Sequence, residues 1–539
     1  MTVGSRLLGA LMRLPRPISG RVEVRRDLEI PMRDSTALLA DLYTPAGGGP
    51  APTVLTRSPY GRSNWIGTIY GRLFAERGFQ VLVQSCRGTF GSGGDFDAFN
   101  ERDDGLDTIA WIEQQDWYDG RLAMTGASYG GIAQWLVAAD SPQLAALSIV
   151  NASSDPYDFV YPGGVLSLRS CLSWNASNAA DFQGSFLSRL RQGRALDERL
   201  EDLYAELPLD SLDDRAVAQS VPAYQAWLRH PERDSFWAQR SATDQAARIT
   251  VPTCLVAGWY DIFLPYQLAD YRSMLDAGCS VQLTIGPWTH GNPAGIGHGL
   301  KLSIDWLSGH LLGTAVPERA PVRIFVTGAN AWRDLPEWPP PSTAVRWHLH
   351  ADGGLSPEPA DDGQRTFRYD PADPTPYVGG PVLGQDKGPQ DNAMLEARAD
   401  VVVFTSEPLA DNYELIGEVS AEVSMSSSTP DFDVFVRLCE VDAKGRSVTV
   451  CDGIQAVRGH NEVSPATVGV QLWSIGHRFA KGSRLRVQVS GGSHPRFGRC
   501  HGGGEPLATA TAVVASDRTL HLGGRASSFV VLPEARSRT

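Results

Sequence analysis

Apolar and polar positions alternate along residues 21–43 (RVEVRRDLEIPMRDSTALLADLY), the period-two pattern of a half-exposed antiparallel hairpin. The pattern then changes. Short apolar runs at 53–57 and 80–84 read as strands buried on both faces, with a helical pattern at 71–77 between them. From Asp103 to Gln115 the spacing is that of an amphipathic helix, with Leu106, Ile109 and Ala110 on its expected apolar face. A strand ending at Leu122–Thr125, a helix-like run from Ile132 and another strand at Leu147–Val150 follow. Strands alternating with helices at this spacing predict an α/β fold, a mostly parallel sheet covered on both faces.

Between 153 and 247 β-branched runs give way to helix formers, as in SFLSRLRQGRALDERLEDLYAEL. Helical sequence inserted between successive strands of a sheet is how a cap is built over a site; a separate helical domain is the other reading. Strand patterns return at Val251–Ala257 and Val281–Ile285, and KLSIDWLSGHLL (301–312) predicts a closing helix. From Pro321 the chain turns all-β in style. Runs such as Val322–Val326, Val345–His350, Val401–Thr405 and Arg484–Val489 are separated by Gly, Pro, Asp and Asn, as in a β-sandwich or jelly roll. The expected organisation is an α/β-hydrolase domain in two parts, 1–152 and 248–319. A helical cap at 153–247 interrupts it, and a C-terminal jelly-roll-like sandwich occupies 320–539.

Composition narrows the function. A chain of 539 residues accommodates roughly three domains. A net charge of −13 argues against nucleic acid or an anionic membrane as the main partner. The seven cysteines are dispersed with no C-x-x-C pair, which points to reduced thiols and a cytoplasmic protein. The apolar run near the N-terminus is interrupted by Arg13, so no secretory signal is expected, and no run of 18 apolar residues predicts a membrane span. Neither H-E-x-x-H nor a Cys/His cluster occurs, so no metal or other cofactor is expected.

The chemistry centres on Gly126-Ala127-Ser128-Tyr129-Gly130, which fits G-x-S-x-G between a strand and a helix. That is the sequence form of a nucleophile elbow, whose strained turn lifts a serine hydroxyl above the sheet edge. A serine needs a base to take its proton, and the base needs a third group to fix its tautomer, in the chain order Ser, acid, His. Asp261 and His290 satisfy that order, each read as four or five residues beyond a strand at the edge where Ser128 lies. The oxyanion needs donors: the backbone N–H of Tyr129, and the Tyr60 hydroxyl from the loop after 53–57. His501-Gly-Gly-Gly504 and Gly91-Ser-Gly-Gly94 are read as structural turns.

Taken together, these residues resemble the CocE/NonD family of acyl hydrolases, which takes in ester hydrolases, β-lactam acylases and X-Pro dipeptidyl-peptidases. The resemblance runs over nearly the whole chain, through Arg57-Ser-Pro-Tyr60, Arg87-Gly88, Asp103-Asp104-Gly105, the elbow, Gly258-Trp-Tyr-Asp261 and Gly286-Pro-Trp-Thr-His290. Thr405–Leu409, Ser426–Asp433, Val436–Leu438 and Cys451–Ile454 extend it into the C-terminal region. It implies Ser128 as nucleophile, His290 as base and acid, Asp261 as orienting carboxylate, and Tyr60 with Tyr129 as oxyanion hole. By motif position, Phe159, Trp174 and Phe263 are expected along the substrate pocket, and Trp288 is a further candidate. One departure is visible: Ser85-Cys86-Arg87-Gly88 stands where the family often has Asp-x-Arg-Gly. The expected activity is cofactor-free ester hydrolysis of a small-molecule acyl substrate. Amide cleavage, as in a dipeptidyl-peptidase or β-lactam acylase, and a non-catalytic carbohydrate-binding role are the alternatives. Self-association through the sandwich surface stays open.

Overall fold

The alternating segment forms an antiparallel pair, β1 (Val22–Pro31) and β2 (Ala37–Pro45), with a register shift between Arg25 and Leu28. The buried-type runs follow as β3 (Ala51–Ser58), β4 (Gln80–Ser85), β5 (Tyr118–Ala127), β6 (Leu144–Val150), β7 (Thr253–Tyr260) and β8 (Val281–Thr289). These strands lie in the order β1-β2-β4-β3-β5-β6-β7-β8, antiparallel across β1, β2 and β4 and parallel from β4 onward. The computed structural model describes residues 2–47, 49–180, 186–314, 318–460 and 464–535. They divide into two compact units: Met1–Pro156 with Asp234–Arg323 and Asp334–Pro336, and Tyr157–Arg233 with Ile324–Arg333 and Glu337–Thr539.

In the first unit, β4 and β7 bury every residue, whereas β1 alternates with solvent, as the sequence patterns require. The chain leaves β3 toward β4 and then crosses back to β5, β6, β7 and β8. The carboxyl ends of β3 and β5 therefore flank the point where the winding reverses, where open α/β sheets bind ligands. The helix Tyr129–Ala138 is buried along its whole length, and Pro293–Leu312 is capped by the Asn292 side chain on the N–H groups of Ala294 and Gly295.

The helix expected at 103–115 forms as Arg102–Ile112, but its buried face is not the one its apolar residues suggested. Asp104, Gly105, Thr108, Ile109 and Ile112 are buried, while Ala110 is exposed and Leu106 only half-buried. Charge decides this orientation. Asp104 pairs with Arg87 at 2.6 Å, and the Thr108 hydroxyl exchanges hydrogen bonds with the buried Gln84 side chain. Burying paired polar groups costs little once each is satisfied.

The second unit is an all-antiparallel β-sandwich joined to the helices of 157–233. One sheet runs Leu355–Ser356, Ser342–Leu349, Phe529–Ala535, Tyr413–Ser427, Ser516–Leu522, Gly363–Tyr369, with Ala466–Phe479 also paired to Tyr413–Ser427. The other runs Val401–Thr405, Arg484–Ser490, Phe432–Val441, Ser447–Val457. Val165 from the helical segment is buried in one cluster with Phe435, Ile454 and Phe497 of the sandwich. Arg169 pairs with Glu201 and lies over the rings of Tyr204 and Tyr377, 5.2 and 5.0 Å from their centroids. Among the described residues no helix is long and apolar enough to cross a membrane.

Candidate active site

β5 ends at Ala127 and the helix Tyr129–Ala138 begins two residues on, so Ser128 alone turns the chain. It does so at φ +54° and ψ −123°, backbone strain that costs a non-glycine residue about 1–3 kcal/mol. The turn is held on both sides: the Ser128 N–H donates to the Val150 carbonyl at 2.9 Å, and its carbonyl accepts from Gly131 and Ile132 at 2.8 and 3.0 Å. A Cβ on Gly126 would stand 2.5 Å from the Gly130 carbonyl oxygen, so strand and helix pass this closely only because position 126 has no side chain.

β7 and β8 run further than the sequence reading placed them, through Tyr260 and Thr289, which are themselves paired. Asp261 and His290 are therefore the residues immediately after two paired strand ends, not four or five residues beyond. The Asp261 side chain has no exposed surface; one carboxylate oxygen accepts the Phe263 N–H at 3.0 Å and the other lies 2.9 Å from His290 Nδ1. An imidazole so held carries its proton on Nδ1 and presents Nε2 as an acceptor.

Ser128 and His290 both line a cavity of about 230 Å³ at the carboxyl ends of β3, β5 and β6. Tyr60 lines it too, its ring edge-on to that of Tyr129 with centroids 6.4 Å apart. Tyr129 opens the helix, so its N–H belongs to the first turn, where N–H groups point out along the axis. Its hydroxyl is anchored inside the protein, donating to Glu101 at 2.6 Å and accepting the Phe99 N–H at 3.0 Å. Burial and the Glu101 carboxylate push the Tyr129 phenol well above its ordinary pKa. Glu101 is held in turn by Arg57 at 2.8 Å, both side chains being almost fully buried.

The pocket aromatics are distributed differently from the expectation. Phe263 and Trp288 do not line this cavity. The Phe263 ring lies against His290 with centroids 5.6 Å apart, while Trp288 packs on His298 at 5.0 Å and over Gly258, Gly286 and Gly295. Phe159 and Trp174 belong to the second unit, where Trp174 stacks on Trp227 at 5.6 Å. The apolar wall comes instead from Trp65, Ile66, Ile69 and Tyr70, and from Ile296 and Leu300 of the helix Pro293–Leu312. The sequence signal was the W-I-x-x-I-Y spacing directly after the Tyr60 loop. At the departure from the family motif, Ser85 accepts from Arg62 at 3.2 Å, and Arg62 takes its carboxylate partners from Asp27 and Asp41.

Two family models match, X-Pro dipeptidyl-peptidase (S15 family) over residues 34–292 and X-Pro dipeptidyl-peptidase C-terminal non-catalytic domain over 314–531. Cocaine esterase from Rhodococcus sp. (strain MB1 Bresler) is 31% identical, with 96% of this chain and 99% of that protein covered. The chain belongs to the CocE/NonD family of hydrolases. Solved structures agree in fold. An α-amino acid ester hydrolase matches with a TM-score of 0.82 at 21% identity, covering 97% of this chain and 98% of that one. A CocE/NonD family hydrolase from Staphylococcus aureus matches with a TM-score of 0.70 at 17% identity, covering 95% and 94%. Family members are serine hydrolases, this CocE/NonD chain among them.

Proposed function

We propose that this CocE/NonD hydrolase cleaves carboxylic esters through a covalent acyl-enzyme on Ser128. The Ser128 hydroxyl attacks the carbonyl carbon as His290 Nε2 takes its proton. The tetrahedral oxyanion accepts hydrogen bonds from the Tyr129 N–H and the Tyr60 hydroxyl. His290 then passes the proton to the leaving alcohol as the C–O bond breaks, and water, deprotonated by His290, releases the acid by the same path. Asp261 holds the tautomer and stabilises the imidazolium. The observation that carries the reading is the shared cavity: Ser128 on its strained elbow and His290, backed by buried Asp261, line the same space.

The family models' description favours one second reading, amide cleavage after an X-Pro dipeptide. That chemistry calls for a carboxylate to hold the substrate's ammonium, and among the described residues no carboxylate lines the cavity around Ser128. Ester cleavage is therefore preferred. The deciding experiment gives wild type and Ser128→Ala p-nitrophenyl esters alongside aminoacyl and X-Pro p-nitroanilides. Ester turnover lost in the variant, with little anilide cleavage by wild type, supports the esterase. Strong anilide cleavage moves the activity to peptidase, and equal turnover by both proteins removes Ser128 from the mechanism. All seven cysteines are free thiols, and on that ground we also place the enzyme in the cytoplasm.

A further inference from the structure

The cavity beside Ser128 is lined in large part by apolar side chains that the catalytic steps do not use. The segment after Tyr60 reaches the cavity through a π-helical turn, Gly67–Arg72, a wide geometry frequent at functional sites. This turn is pinned from behind: a Cβ on Gly71 would fall 2.6 Å from the Tyr43 ring. The turn and the residues before it put Trp65, Ile66, Ile69 and Tyr70 on one wall. Trp65 is 56% exposed, whereas Ile66 is 3% exposed, so the wall runs from rim to interior. Ile296, Leu300 and buried Ser303 of the helix Pro293–Leu312 line the cavity as well.

Asn151 also lines the cavity and its buried Oδ1 makes no hydrogen bond, but most other polar side chains along the wall are committed to the protein. Thr56 donates to the Thr125 carbonyl at 2.9 Å, Ser58 accepts the Tyr60 N–H at 3.1 Å, and Ser303 donates to the Gly299 carbonyl at 2.9 Å. The Arg57 guanidinium is held by Gln84 and Glu101 at 2.7 and 2.8 Å. What these residues offer a ligand is therefore mainly hydrocarbon. A cavity of 150 Å³ with such walls takes a benzene ring. At about 230 Å³ this one holds roughly six to nine carbons by the same measure.

We propose that this apolar cavity is the acyl site, and that the preferred substrates are esters of uncharged, apolar acids of roughly six to nine carbons. The inference rests on Ser128 being the nucleophile. The acyl group stays bonded to Ser128 through both steps and profits from enclosure, whereas the alcohol must leave once His290 has protonated it. The walls of the Gly67–Arg72 turn and of Pro293–Leu312 together set the chain length, so Ile69 and Ile296 are the specificity-determining positions.

The test is a p-nitrophenyl ester series from acetate to dodecanoate, paired with n-alkyl acetates that lengthen the alcohol instead. Wild type, Ile69→Trp, Ile296→Trp and Ser128→Ala are compared, with thermal melts to verify folding. In wild type, kcat/KM should rise about three- to fourfold per acyl methylene until the cavity is full, then level or fall. The alkyl acetates should stay flat. Either tryptophan variant should cut the octanoate-to-butyrate ratio about tenfold or more. A flat or falling acyl profile with inactive Ser128→Ala would overturn the acyl site and leave the esterase standing. A rise on the alcohol side instead would also overturn it. Undiminished turnover by Ser128→Ala would remove the reading on which it rests. Should neither tryptophan variant fold, the two wild-type series still decide.

Discussion

Asp261 and His290 each follow one of two paired strand-end residues, Tyr260 and Thr289, and their side chains meet at 2.9 Å. The sheet's own register thus brings acid and imidazole together. The second oxygen of Asp261 is occupied by the Phe263 N–H at 3.0 Å, so the carboxylate cannot swing away from the ring.

Replacing Asp261 by Asn keeps this shape and reverses one dipole. With the Phe263 N–H still claiming the oxygen, the amide NH₂ would face Nδ1 and force the imidazole proton onto Nε2, the wrong tautomer for accepting the serine proton. The expected outcome is a fall in kcat for ester hydrolysis of about 10³–10⁴ with KM little changed. Steady-state kinetics together with a thermal melt check it; the melt should shift far less than the rate.

The Arg57–Glu101–Tyr129 chain gives a second prediction. Glu101→Gln leaves the Arg57 guanidinium, which has no exposed surface, without its counter-charge. Breaking a buried pair from one side typically costs about 3–5 kcal/mol. Denaturant unfolding of Glu101→Gln should register a loss on that order, and the ester rate should fall with it because the amide's single acceptor oxygen must serve Arg57 and the Tyr129 hydroxyl, which the carboxylate meets with separate oxygens. The double variant Arg57→Met/Glu101→Leu should recover much of the stability, since it strands no charge.

How far the sequence could be read depends on where each signal resides. Ser128, Asp261 and His290 are legible as candidates because the edge of a parallel sheet places residues just after a strand together, and strand patterns are local. At Gly258-Trp-Tyr260 and Gly286-Pro-Trp-Thr289 glycine and proline look like loop, although the ladder continues to Tyr260 and Thr289. The helix at 102–112 presents a different face from the one its apolar residues suggest because its buried Asp104 and Thr108 answer to Arg87 and Gln84, partners on distant segments. Ile69 and Tyr70 are not singled out by sequence because their i, i+3 and i+4 spacing from Trp65 and Ile66 reads as an ordinary buried helix face, with nothing local to show that it borders a cavity. Nearness to His290 suggests Trp288 as pocket lining, yet glycines at 258, 286 and 295 make room for it in the packed interior.

The sandwich carries its own buried charge cluster. Asp452 bridges Arg437 at 3.1 Å and Arg496 at 2.7 Å, all three side chains being nearly or wholly buried. Asp452→Asn would leave two guanidinium groups sharing no carboxylate at this position. Unfolding should then become easier by about 3–5 kcal/mol, read as a lower denaturant midpoint. Asp370→Asn, an exposed residue of the same unit, serves as the control and should change little.

A pH dependence follows from His494, whose Nε2 lies 3.0 Å from the Tyr204 carbonyl within the second unit. Burial pushes its imidazole down to about 4 from an ordinary value near 6.5, and burial does the same to His501. Both rings are thus neutral in the fold, while the unfolded chain begins to bind their protons near pH 6.5. Stability from this source is complete above that pH and is lost as pH falls from about 6.5 to about 4. Asp34 acts in a separate, lower window: the Arg87 hydrogen bond holds its carboxyl down to about 2, so its contribution is lost only below pH ~4. Urea unfolding at steps between pH 7 and 4.5 should therefore show stability declining by roughly 1–3 kcal/mol per histidine, before carboxylate protonation dominates. In His494→Gln, which keeps a donor for the Tyr204 carbonyl but cannot take up the proton, that decline should be shallower. An unchanged slope in the variant would assign the acid sensitivity elsewhere.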